Sequence, residues 1–364
     1  MDLEQFWKDD AAAHEENCFS PNSPQVALGI RMSDECVFAE LGEDGAPWAH
    51  TPAERRSDLN KRYNDKAEKI VGIRLLNENF APPESHLPEV KRIGEVFGGR
   101  YIWLNDTEWL ERGITTPQQL EAQLDKIDKT DLRSFILPLD WEEQCRIKFE
   151  KYGTRPSCHN GVRGPVTLAC SVFGIENLIY LITDAPELAK RFSGTIADVI
   201  IKTTEIMQKE AGRETFGFGF NDDNCCMLNA EMYEFFAYPI LKRVFERFCP
   251  EPKHWRYQHS DSAMEHLLPV LGKLNLHGVN FGPSVTIDKI RKYMPKTRID
   301  GCIAPFTFMN SDRAALVSEV KRDCEMAKRY GKGVNLTTAG SINNGSSLEN
   351  LRTVMQGICE YGRY

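Results

Sequence analysis

The stretch from Phe216 to Ser262 constrains this chain more than any other, because it repeats one pattern. An apolar, aromatic-rich run, Phe216 to Phe220, stops at the polar cluster Asn221-Asp222-Asp223-Asn224, and a helical pattern follows over 230–248. A second short run, His254 to Gln258, stops at His259-Ser260-Asp261 and leads into another helical stretch, 262–272. Strand, polar tip, helix, twice over, is the unit of parallel α/β folds. In those folds the tips after the strands share one face, and that face carries the chemistry. Asp222, Asp223, His259 and Asp261 are therefore expected to gather there as candidate catalytic groups. Three carboxylates and an imidazole can hold a cation or move protons.

The same rhythm extends through the C-terminal part. Strands are expected at 156–162, 216–220, 254–258, 276–281, 298–303 and 332–338. Helices are expected at 165–172, 174–182, 185–210, 284–294, 312–329 and 347–361. Strands alternating with helices imply right-handed βαβ units and a parallel sheet. The fold class expected is an α/β (β/α)8 TIM barrel with N-terminal additions. It forms one domain over 1–364, with an N-terminal part (1–150) and clear βα repeats from 151 on. An open dinucleotide-binding sheet is disfavoured, since Gly217-Phe218-Gly219 lacks the third glycine of the phosphate-binding fingerprint. Before residue 150 the signals are local. They are a strand or hairpin in Val26–Leu41, helices opened by Thr51-Pro52 and Thr116-Pro117, a helix over 89–97, a strand at Arg100–Leu104 and a helix over 140–152.

Further tips add candidates. Cys158-His159-Asn160 offers His159 as a substrate contact, and Asn280 and Phe281 end another strand. Phe306 and Phe308 follow the strand near 300, and such aromatics suit the lining of an apolar pocket or the seal of a core. Trp48 and Trp103 allow the same two readings. Cys225-Cys226 are more often buried thiols than ligands. The chain carries a net charge of −8 with no basic block, which argues against nucleic acid and membrane surfaces as partners. Eleven cysteines without a CxxC pair, and an acidic N-terminus without the apolar core of a secretory signal, point to reduced thiols and a cytoplasmic protein.

Gly164-Pro165-Val166-Thr167-Leu168-Ala169, Asp184-Ala185-Pro186-Glu187 and Asn229-Ala230-Glu231-Met232-Tyr233-Glu234-Phe235 resemble motifs of the uroporphyrinogen decarboxylase superfamily. The strand ending at His259 and the tail Glu349-Asn350-Leu351 to Tyr361-Gly362 are similar to its later segments. The superfamily holds cofactor-free decarboxylases and methyltransferases that exchange methyl groups with a corrinoid. True decarboxylases carry an arginine-rich N-terminal segment for the substrate carboxylates. Here Arg31, the candidate substrate contact, is the only arginine before Arg55. Thiol-directed methyltransferases carry His-x-Cys and a distant cysteine around zinc, where this chain has His259-Ser260-Asp261 and Gly340-Ser341. The resemblance thus implies a methyltransferase moving a methyl group between a small methylated compound, such as an O-methyl donor, and a corrinoid on a partner protein. His259 and Asp261 are its candidate metal ligands, with zinc the candidate ion, and a homodimer is left open. The alternatives are a cofactor-free decarboxylase using Asp222 or Asp223 and a barrel that only binds a ligand.

Overall fold

A computed structural model describes every residue except 46–50, 105–106, 159 and 311, so Trp48 and His159 lie outside the described residues. Nine strands follow in chain order: β1 (Ala27–Leu28), β2 (Arg100–Leu104), β3 (Thr107–Glu111), β4 (Gly161–Arg163), β5 (Phe218–Asn221), β6 (Arg256–Ser260), β7 (Gly278–Phe281), β8 (Arg298–Asp300) and β9 (Val334–Leu336). β2 and β3 form an antiparallel hairpin; the other seven make the parallel sheet. The barrel class read from the alternation holds, with seven strands rather than eight among the described residues.

Contacts gather the chain into two compact units. The first holds Met1–Phe80, His259–Glu265 and His277–Tyr364; the second holds Ala81–Gln258 and His266–Leu276. In the first, β1, β9, β8 and β7 lie side by side and parallel. Two of its helices, Arg313–Tyr330 and Leu348–Tyr361, bury Val320, Cys324 and Ala327 on one and Val354, Met355 and Ile358 on the other. That spacing is the apolar stripe of a core-facing helix. Burying each such aliphatic side chain contributes about 1.5–3 kcal/mol. Gly357 permits a close approach: a Cβ there would lie 2.6 Å from Val320 Cγ1.

In the second unit β4 pairs with β5 in parallel. The helix Pro186–Glu210 buries Phe192, Ile196, Val199 and Ile200. Phe192 meets Phe97 and Phe173 edge-on, with ring centroids 5.8 Å and 6.4 Å apart. Such edge-on pairs suit the aromatic quadrupole.

Several local expectations need correction. The helix read over 230–248 is two, Ala230–Phe236 and Tyr238–Phe248, because Pro239 has no N–H to return to the preceding turn. The helix read over 262–272 is a chain of short turns, with Leu268–Leu271 the only α-helical part. Pro269 and Gly272 both disfavour a longer run there. In Val26–Leu41 only Ala27–Leu28 pairs as a strand; the segment then turns into the helix Val37–Leu41, closed by Gly42 at φ +64°. The helix read over 89–97 shrinks to Ile93–Val96, ahead of Gly98 and Gly99. The helix Leu3–Ala13 was hidden by its acidity. It is opened by Asp2, whose carboxylate accepts the Gln5 N–H at 3.1 Å, and it buries Phe6, Asp10 and Ala13 on one face.

Candidate functional site

Two strand tips carry the candidate chemistry, one in each unit. In the first unit β6 runs on through His259 and Ser260, so the imidazole projects from strand backbone rather than from a loop. A strand-borne group is held more rigidly than a loop-borne one. The side chain of Asn280, on β7, faces it, with His259 Nδ1 2.8 Å from Asn280 Oδ1.

The amide of Asn280 can point only one way. Its Nδ2 donates to the Asp300 carbonyl at 2.7 Å and the Thr338 carbonyl at 3.0 Å, and its Oδ1 also accepts the Gly340 N–H at 3.0 Å. Oδ1 is therefore an acceptor toward the imidazole, and His259 Nδ1 carries the proton. In the neutral ring the lone pair is then on Nε2, the form in which a histidine ligates a metal or takes a proton.

The donor atoms of His259 and Asp261 lie within 4.8 Å of one another, with the imidazole half-buried and the carboxylate exposed. Gly340 makes room for that carboxylate, since a Cβ there would lie 3.1 Å from Asp261 Oδ2. Its φ of +99° is a left-handed conformation that favours glycine. The aspartate at 261 and the glycine at 340, both departures from a thiolate-lined zinc site, are thus sterically matched. Below this tip a polar layer fixes the strands. Arg298 grips Asp300 through Nε and Nη2 at 2.8 Å and 2.9 Å, and Asn335 Nδ2 donates to Asp300 Oδ1 at 2.8 Å.

In the second unit the tip after β5 is built differently. Asp222 is fully buried. Its Oδ1 accepts the Thr167 N–H at 2.8 Å, in the first turn of the helix Pro165–Phe173. Thr167 Oγ1 in turn accepts the Asn224 N–H at 3.0 Å. Gly164 allows this latch to close, because a Cβ there would lie 2.2 Å from Asp222 Cβ. Asp222 Oδ2 is buried without a hydrogen-bond partner among the described residues. Burial is the main cause that pushes the Asp222 carboxyl up to about 7, against the pull of the Thr167 hydrogen bonds. Beside it Cys170, also raised by burial, to about 11, stays a thiol at neutral pH. Asp223 opens the short 3-10 turn Asp223–Met227, half-buried, and Cys226 Sγ lies 3.8 Å from its carbonyl oxygen. A cavity of about 610 Å³ borders this tip, lined by Arg112, Arg163, Thr167, Asn224 and the exposed Trp109.

The remaining candidates separate. Asn280 commits its polar atoms inside the protein, so it positions His259 and does not reach out to a substrate. Phe281 is fully buried in the core. Phe306, on the short helix Pro305–Met309, is 66% exposed and free to cover a ligand. Arg31 follows β1 and is exposed, its guanidinium 3.3 Å from the Leu28 carbonyl oxygen. Thr167 was missed as part of a tip, and Gly340, noted only as standing where a cysteine ligand would be, was not seen as the space for Asp261. The Gly-Pro start of its helix could have flagged Thr167, since a glycine permits a close backbone approach just before a helix-opening proline.

Comparison with known proteins bears on the fold and the family. In overall fold the chain is similar to a methyltransferase from Methanosarcina mazei, with a TM-score of 0.56, 15% sequence identity, and 99% of this chain and 98% of that one covered. A putative vitamin-B12-independent methionine synthase from Listeria monocytogenes aligns over 55% of this chain and 62% of its own, at 16% identity and a TM-score of 0.38, too low to carry an argument. No curated protein matches in sequence. The uroporphyrinogen decarboxylase (URO-D) family model matches residues 114–361, which include both tips, and the chain belongs to that family.

Proposed function

We propose that this protein is a methyltransferase that moves a methyl group between a small methylated compound and a corrinoid carried by a partner protein. The observation that carries the reading is the state of His259. Asn280 holds the imidazole with its proton on Nδ1, so Nε2 is the reactive nitrogen, beside the exposed carboxylate of Asp261. Family membership and a methyltransferase-like fold over nearly the whole chain support it.

The donor set fits a divalent ion of borderline hardness. An imidazole nitrogen and a carboxylate oxygen within 4.8 Å are two of the four donors zinc uses in its usual sites. His259 and Asp261 would hold such an ion, which when bound supplies a Lewis acid to polarise the heteroatom that bears the methyl group. In either case the protein orients the imidazole through Asn280, so that in the neutral ring Nε2 carries the lone pair. Asp261 adds negative charge where a cation or a protonated leaving group gathers. Gly340 leaves the gap that the carboxylate fills. Phe306 offers an apolar surface that can shield a bound substrate from water.

The decisive experiment combines metal analysis of the purified protein with methyl transfer from a panel of O-methyl and N-methyl compounds to reduced corrinoid, free and protein-bound. Methylated corrinoid that depends on His259 is the expected result. Release of carbon dioxide from a carboxylated substrate, with no methylation in any combination, would overturn the reading in favour of decarboxylation.

A further inference from the structure

The second unit holds another cavity, of about 670 Å³, lined by no residue of either polar cluster; Arg163, at the end of β4, also lines the 610 Å³ cavity. Its volume lies in the range of small-molecule sites. Apolar side chains make its floor: Ile93, Ile136, Trp141, Val162, Leu168 and Met207. Trp141 is held in place by its Nε1–H, which donates to Glu210 at 2.9 Å. Cations make its rim: Lys91, Arg92, Arg155 and Arg163.

The charge around this rim is unusual for the chain. Overall the protein is acidic, with a net charge of −8. Two carboxylates, Glu89 and Glu108, also line the cavity, and Glu108 is taken by Arg92, whose Nη2 donates to it at 2.8 Å. Arg163 lies near enough to Glu108 to help hold that carboxyl below its ordinary range, and its Nη1 donates to Ser171 Oγ at 3.3 Å; Lys91 and Arg155 form no ion pair with a carboxylate among the described residues. These two are braced over aromatic rings instead, Lys91 Nζ 4.2 Å from the Phe135 centroid and Arg155 Cζ 4.2 Å from that of Phe149. Stacking of this kind orients a cation without neutralising it.

One wall adds an independent point. His86 to Gly94, Tyr101 and Glu108 all precede residue 114, where the family match begins. The cavity is therefore completed by a segment that lies outside the family match. An apolar chamber edged by the exposed, carboxylate-free cations Lys91 and Arg155 is complementary to a molecule of opposite layout.

We propose that this cavity binds an amphipathic organic anion: a hydrocarbon or aromatic body on the Ile136–Trp141–Met207 floor, with its carboxylate or phosphate head among Lys91, Arg155 and Arg163. Guanidinium groups recognise both heads through paired N–H donors. The proposal does not depend on the methyltransferase reading, and its test uses no catalytic assay.

The intact protein is titrated with 1-anilinonaphthalene-8-sulfonate, and the fluorescent probe is displaced by decanoate, decyl phosphate or decanol. At least one of the two anions is expected to displace the probe at a concentration tenfold or more below that of decanol. A preference between decanoate and decyl phosphate identifies the head group. The double variant Lys91→Gln/Arg155→Gln changes only exposed side chains. It should weaken the preferred anion at least tenfold and leave decanol unchanged. Met207→Trp, filling the floor, should weaken all three in protein whose circular dichroism is native. Equal displacement by decanol and both anions, or an unchanged anion affinity in the double variant, would overturn the proposal.

Discussion

The two strand tips hold the same kind of residue in opposite situations. Asp222, after β5, is sealed inside, one oxygen tied to the first turn of a helix and the other without a partner among the described residues. Asp261, after β6, stands exposed beside an imidazole whose orientation is dictated from below. A buried carboxyl near a helix N-terminus organises backbone, and its ionisation is opposed by lost hydration. An exposed one costs little to keep charged and can meet a ligand. Two aspartates that look alike in sequence therefore divide the work, Asp222 joining the parts of its tip and Asp261 facing outward.

The largest effect that could break this contrast is catalytic. His259→Ala should remove methyl transfer to the assay floor, and Asp261→Asn should lower it by about two to three orders of magnitude, with melting curves close to wild type. Metal content should fall in both variants if an ion is held there. Activity near wild type in natively melting His259→Ala protein would leave the exposed tip without a function.

Asn280→Ala comes next and tests how the imidazole is aimed. Loss of such a supporting hydrogen bond costs roughly 10- to 100-fold in activity or metal affinity. The acid limb of a pH–rate profile, where the neutral ring is lost, should also move, because the proton is no longer fixed on Nδ1. A variant that loses only stability, with an unchanged pH profile per folded molecule, would make Asn280 a packing residue and nothing more.

Asp222 should reveal itself in stability rather than turnover. Its folded carboxyl titrates at about 7, above the ordinary 3.8, so the folded state holds a proton that the unfolded state has released. Stability from this group is present below pH 3.8 and is lost as pH rises toward 7, after which the loss is constant. Asp222→Asn keeps an acceptor for the Thr167 N–H and removes the ionisation. Urea unfolding of this variant should show a flatter profile between pH 4 and 7, and at pH 8 it should be more stable than wild type by about 1–3 kcal/mol. A steeper profile, or a stability loss at every pH, would mean the carboxylate is wanted in its charged form.

Much of this was legible in the sequence, and the illegible part has physical reasons. The alternation from 155 onward placed the strands after β4 to within about three residues, since apolar runs bounded by polar tips have few other solutions, whereas the strand read over 156–162 pairs only at Gly161–Arg163. β6 ran two residues past its expected end because pairing, not side-chain polarity, decides where a strand stops. His259 and Asp261 could be singled out as chemistry-bearing, yet nothing in their own segment tells that an asparagine on β7 sets the tautomer. The same holds for Gly164 and Asp222, which are far apart in the chain and fit each other only through the absence of a side chain. Long-range fits of this kind have no period and no local composition.

The smallest predicted effect guards the Asp222 experiment, because a second group in the protein titrates with the same sign. His14 Nε2 lies 3.4 Å from Asp10 Oδ2, and Asp10 Oδ1 accepts the Leu28 N–H at 2.7 Å, which ties the first helix to β1. The hydrogen bond with Asp10 is the main cause that raises His14 from 6.5 to about 9, burial opposing it. A raised histidine favours the charged folded form. Its contribution is complete below pH 6.5 and is lost as pH climbs through 9. The ring is partly exposed, so solvent screening reduces the contribution to roughly 1 kcal/mol. His14→Gln should therefore flatten the stability profile between pH 6.5 and 9 and leave the profile below 6.5 as it is, the reverse of Asp222→Asn. If His14→Gln instead removed the slope below pH 6, the acid window would not belong to Asp222, and the buried tip would lose its titrating group.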